Sequence, residues 1–117
     1  MAHPFTVSIH AQGTEGWLAD RAGYLTGSVA GDILATVKSG EAAARRNLRL
    51  KLVLERILGR SMESGFVSDA MAVGTAREPL ARAAYEAETG NLVEQCGFIK
   101  STLRPWVGAS IDGMVRE

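Results

Sequence analysis

The chain has 117 residues, 46% hydrophobic and 22% charged, with 13 basic side chains balanced by 13 acidic ones. That is material for one globular domain over residues 1–117 and is too apolar for a disordered chain. No apolar run approaches the ~18 residues of a membrane span, Met1 to His10 lacks a basic start before an apolar core, and the single cysteine, Cys96, excludes an internal disulfide framework and fits a reducing cytoplasm.

Taken in chain order, Met1 to His10 reads as a loose segment. Thr14 is placed to cap a short helix, Glu15 to Ala22, that carries Trp17 and Leu18 inward and ends at Gly23. Thr26-Gly27-Ser28 opens a second short helix, about Val29 to Val37, ended by Ser39-Gly40. Glu41 to Leu58 is the best helix, closed by Gly59. At ~100° per residue, Leu50, Val53, Leu54, Ile57 and Leu58 share one stripe, expected to be the buried face. Arg45, Arg49, Arg56 and Arg60 fall within about 60° of one another, a basic ridge beside it.

Ser68 or Asp69 starts a helical region that runs to Thr89 and stops at Gly90. Pro79 interrupts it, which predicts either a kink or two helices. Leu80, Ala83, Ala84 and Ala87 are expected to be its packing face. After Gly90 the period changes: Leu92 to Lys100 reads as a strand, Ser101 to Pro105 as a turn and Trp106 to Ile111 as the next strand, antiparallel to the first. Asp112-Gly113 then carries the strongest short hairpin signal, with only four residues after it. A half-built hairpin is marginal in water, so the chain reads as the front part of a larger domain. The expected layout is α+β or mixed α/β, with an incomplete sheet.

The zero net charge hides an asymmetry. Arg45 to Arg60 holds six bases against Glu55 alone, whereas Ser61 to Gln95 holds six acids against Arg77 and Arg82. Such a division suits one surface for an anion and another for a cation. The basic ridge reads either as a solvated face or as a face toward phosphate. Asp112 reads either as a turn residue or as a ligand, and Glu78 either as the partner of Arg82 at i,i+4 or as a ligand. If Glu78 and Asp112 converged they would suit a hard cation such as magnesium or manganese; spacing alone leaves that open. Ser28, at a helix start, caps the backbone or receives a phosphate. His3 and His10 have no ligand-spaced neighbours, so nothing points to zinc. Walker, Gly-x-Gly-x-x-Gly and Gly-x-Ser-x-Gly motifs are missing.

Three pieces in order carry a resemblance. Gln12-Gly-Thr-Glu-Gly-Trp17-Leu-Ala-Asp-Arg21-Ala-Gly23-Tyr-Leu-Thr26-Gly-Ser28, then Gly74-Thr75-Ala-Arg-Glu78-Pro79, then Ser110-Ile-Asp112-Gly113 resemble the motifs of the YqaJ-type viral recombinase family, relatives of the lambda phage exonuclease. The resemblance covers about Gln12 to Val115. It implies a PD-(D/E)XK nuclease core, with a mixed sheet flanked by helices and magnesium or manganese held by acidic residues. It makes Glu78 and Asp112 catalytic metal ligands, and Arg21 and Ser28 contacts to DNA phosphate, with Arg45 and Arg49 as further phosphate candidates on the ridge. The activity implied is 5′ to 3′ resection of linear duplex DNA for recombination in a bacterial cytoplasm. The partners implied are duplex DNA ends, a single-strand annealing protein and, in a homo-oligomer, a trimer; no membrane is implied. The chain departs from the family in having Ile111 where proline is common and in lacking the Glu-x-Lys strand after the Asp-Gly turn. The second departure leaves two further readings open: a non-catalytic remnant that binds DNA or a partner subunit, and a helical interaction module.

Overall fold

A computed structural model describes residues 3–62 and 68–116. Glu63 of the acidic segment, Met1, Ala2 and Glu117 lie outside the described residues. The architecture is mixed α/β. In order it runs β1 (Phe5–Val7), α1 (Glu15–Arg21), a single 3-10 turn at Gly27–Val29, α2 (Ala30–Ile33), α3 (Ala43–Leu58), α4 (Asp69–Thr89), β2 (Leu92–Glu94), β3 (Ile99–Ser101), β4 (Gly108–Ala109) and β5 (Met114–Arg116). Among the described residues, no helix is long and apolar enough to cross a membrane.

The helix ends follow local chemistry. The Thr14 hydroxyl accepts from the Trp17 amide, and the Ser68 hydroxyl accepts from the Met71 amide. Gly59 and Gly90 close α3 and α4 in the left-handed conformation that a Cβ disfavours. The expected helix from Val29 to Val37 is shorter, a 3-10 turn plus the four residues of α2. α4 is one helix with Pro79 inside it, neither split nor ended. Caps at both ends and cooperative hydrogen bonding along 21 residues carry it past the one missing donor.

The strands depart further from expectation. The N-terminal segment is not loose: β1 pairs antiparallel with β3, Thr6 opposite Lys100. The expected strand from Leu92 to Lys100 is two strands in two sheets, β1-β3-β4 and β2-β5. The break falls where Gly97 lies against the Ser8 and His10 carbonyls, so tightly that a Cβ would overlap them, and where Phe98 is fully buried. The Phe98 carbonyl accepts from the Ser8 amide at 2.9 Å. The expected antiparallel pairing across Ser101 to Pro105 is present as β3 with β4, Ile99 opposite Ala109. The Asp112-Gly113 hairpin is not: β5 pairs with β2, Val115 opposite Val93, instead of folding back on β4. A turn signal fixes the local bend, but the partner is whichever edge lies nearest after it.

Two helix faces are also reversed. The stripe of Leu50, Val53, Leu54, Ile57 and Leu58 is exposed, Ile57 by 74%; the buried residues of α3 are Leu48 and Glu55. The α4 face with Leu80, Ala83, Ala84 and Ala87 is exposed too, whereas Glu78, Arg82 and Glu86 are half-buried. A helical wheel finds a stripe but not which side meets a neighbour. The core that forms centres on Phe98, Leu48 and Ala42, with Tyr24 edge-on to the Phe98 ring at 5.6 Å between centroids.

Candidate functional site

The end of α1 builds the first part of the site. Arg21 lies over the Trp17 ring, 4.5 Å from its centroid, and 5.7 Å from the Phe98 centroid. Stacking of this kind immobilises a guanidinium without removing its charge. Its Nη1 donates to the Ser110 hydroxyl at 2.8 Å, and the Trp17 indole donates to the same oxygen at 3.2 Å. The neighbouring Ile111 carbonyl accepts from the Gln12 side chain at 2.9 Å. Three residues of the α1 region thus hold the segment that carries Asp112. Leu25 assists, accepting from the Gly108 amide and donating to the Trp106 carbonyl.

Arg21 and Ser28 come together at a polar cavity of about 40 Å³, shared with Thr26 and Lys51. The Thr26 and Ser28 hydroxyls lie 2.9 Å apart. The cations Arg21 and Lys51 with the Thr26 and Ser28 hydroxyls suit one phosphate group there, in a lining that also includes Ser61 and Glu55. Glu55, which also lines this cavity, is buried, accepting from the Gly23 amide at 3.1 Å and the Met62 amide at 3.0 Å. Its charge is thus spent on backbone donors and it braces α3 against α1.

Glu78 and Asp112 also come together. They line a cavity of about 250 Å³ with Arg82 and Tyr85 of α4, Val93 of β2 and Gly113. Gly113 is needed there, since a Cβ would overlap the Val93 side chain. With the Gln95 amide turned so that its oxygen faces Arg82, the orientation its donors and acceptors require, that oxygen accepts from both terminal nitrogens of Arg82 at 2.9 and 3.2 Å. Two carboxylates are hard oxygen donors and fit part of a magnesium or manganese shell. Among the described residues, no group of three or more His, Cys, Asp and Glu is gathered to hold a metal.

Arg45 and Arg49 do not join Arg21. They line a separate, mostly apolar cavity of about 290 Å³ with Arg56 and Trp106. Arg49 grips Glu41 through both carboxylate oxygens, at 2.5 and 3.0 Å, which holds that carboxyl below its usual range. Arg56 donates to the Gly23 carbonyl at 3.1 Å, and Arg60 reaches Glu15 at 3.8 Å. The ridge is therefore partly committed to protein acceptors rather than uniformly solvated. Cys96 is free, and burial pushes its thiol up.

Sequence reasoning missed Ser110, Lys51 and Arg82 as site residues. Ser110 and Arg82 had a signal, each standing inside a motif already quoted or beside Glu78; Lys51 was one cation among six, and only the fold turns it toward Ser28.

The chain matches the model of the YqaJ-like viral recombinase domain over residues 16–117. It is also similar to two crystal structures of LHK-Exo. One, an alkaline exonuclease from Laribacter hongkongensis, is 36% identical with a TM-score of 0.68. The other, LHK-Exo in complex with dAMP, is 38% identical with a TM-score of 0.69. In both cases 89% of this chain aligns, and it spans about half, 49%, of the other chain. No curated protein sequence matches it.

Proposed function

Because the chain belongs to the YqaJ-like viral recombinase family, we propose that it serves a metal-dependent exodeoxyribonuclease that resects linear duplex DNA 5′ to 3′. The observation that carries this reading is the convergence of Glu78 and Asp112 on one cavity from α4 and from the segment before β5. Glu78 and Asp112 would hold magnesium or manganese, which supplies water activation and neutralises charge on the leaving oxygen. The chain's own residues do the rest. Arg21, Ser28, Thr26 and Lys51 take a backbone phosphate at the 40 Å³ cavity. Ser110 ties that phosphate site to the carboxylate site, since it is bonded to Arg21 and stands two positions before Asp112. Such contacts set register without reading bases, as digestion of any sequence requires. Duplex DNA ends are the proposed substrate. A single-strand annealing protein and further copies of the chain, as a trimer, are the proposed partners, in a bacterial cytoplasm.

The test is digestion of linear duplex DNA with magnesium, alongside manganese titration followed by electron paramagnetic resonance. Glu78→Gln and Asp112→Asn should each abolish digestion and weaken manganese binding. Full activity in either variant overturns the assignment.

One observation favours a second reading, in which the chain binds DNA or a partner subunit without cutting. Among the described residues the acidic site gathers fewer than three ligand-type side chains. This reading expects salt-dependent DNA binding, weakened by Arg21→Ala or by Arg45→Ala with Arg49→Ala, and no digestion with either metal.

A further inference from the structure

The 290 Å³ cavity between α3 and the Leu25–Trp106 region has no part in the chemistry above. Its lining includes the apolar side chains of Leu25 and Leu52 and the indole of Trp106, which is 45% exposed. Arg45, Arg49 and Arg56 line it as well, Arg49 paired with Glu41 and Arg56 bonded to the Gly23 carbonyl. An aromatic side chain and three cations lining one cavity, in a chain with no net charge, suit an amphiphilic anion rather than a plain hydrophobe. Arg49 already shows the chemistry: its fork holds the two Glu41 oxygens side by side, the geometry in which it would hold a phosphate.

We propose that this cavity is a second nucleic-acid subsite that takes one nucleotide of single-stranded DNA, with its base against Trp106 and its phosphate on Arg45 and Arg49. Glu41, which does not itself line the cavity, holds the Arg49 fork in the free protein and is displaced when Arg49 takes the phosphate. The proposal rests on the DNA reading above and adds a place for a strand that is not at the carboxylates. Base stacking on an aromatic ring is indifferent to sequence, which suits a protein that works along any DNA.

The test uses the 117-residue chain and a fluorescein-labelled oligothymidylate, with chelator present and binding followed by anisotropy. Trp106→Leu should weaken binding by at least about fivefold and should remove the quenching of tryptophan fluorescence by unlabelled oligothymidylate, with Trp17 still in place. Arg45→Gln should weaken binding and flatten the logarithmic salt slope by about 0.7. Glu41→Gln should act in the opposite direction and tighten binding, whereas Glu15→Gln, which removes an equal charge from the pair with Arg60, should not. Matching thermal melts show that the variants are folded. Wild-type affinity and undiminished quenching in Trp106→Leu overturn the proposal, as do equal gains from Glu41→Gln and Glu15→Gln. Failure to bind oligothymidylate, with duplex binding intact and lowered by Arg21→Ala, overturns this subsite and leaves the proposed function standing. Failure to bind either DNA overturns both.

Discussion

The two halves of the site stand on different foundations. The proposed phosphate side sits on a packed body: Phe98 is fully buried, Leu48 and Glu55 nearly so, and Arg21 is stacked and hydrogen-bonded. The carboxylate side stands on α4, β2 and β5. α4 contributes no buried residue, and its main attachment is to β2, which is held by β5. The comparison separates preorganisation from mere proximity. Arg21 is fixed by its neighbours, whereas Glu78 is brought to Asp112 by a helix with an exposed apolar face. Position on the carboxylate side therefore rests on backbone pairing between two short strands, and the shared link is the segment from Ser110 to Asp112.

The contrast can be tested by breaking each half. Phe98→Ala should have the largest effect, about 3–5 kcal/mol, comparable to much of a small domain's stability; urea denaturation should show the body unfolding. Glu55→Ala strands the buried Gly23 amide and leaves the part-buried Met62 amide without its acceptor, and should lower stability by about 2 kcal/mol, with Glu55→Gln costing less because one acceptor remains. Gly97→Ala forces a Cβ onto the Ser8 and His10 carbonyls, just after β1, and should cost about 1–3 kcal/mol, with faster amide exchange in β1 and β3. Leu80→Ala, at a position 71% exposed, should change stability by no more than about 0.5 kcal/mol. A large loss there would show that α4 is packed on that face after all and would erase the contrast.

The smallest effect is a pH dependence. Because the Arg49 bond lowers the Glu41 pKa in the folded state, its contribution is present above the ordinary carboxylate range and is lost as pH falls through the lowered value. The stability difference between wild type and Glu41→Gln, read from urea midpoints, should therefore shrink on acidification. The pair is exposed, so the difference should be small even at neutral pH.

Much of the helical part was legible in the chain itself. Thr14, Ser68, Gly59 and Gly90 mark helix ends through bonds that span three or four residues, so the signal and the structure it makes are neighbours. The mixed fold class and the motifs around Glu78 and Asp112 were readable for the same reason. The strands were not: Gly97 and Phe98 look like the middle of a strand until Ser8 to His10, the segment after β1, arrives from about ninety residues away in sequence to lie against them.

The sequence by itself determined the longer helices, the caps at Thr14, Ser68, Gly59 and Gly90 and the family motifs, because these depend on contacts within a few residues. Only the tertiary structure decided which helix faces are buried, that β5 turns to β2, that Ser110 joins Arg21 to the Asp112 segment, and that Arg45 and Arg49 serve a different cavity from Arg21 and Ser28. Those outcomes depend on partners distant in sequence. Burial and strand pairing are properties of the neighbour that comes to rest there, and no local pattern encodes it.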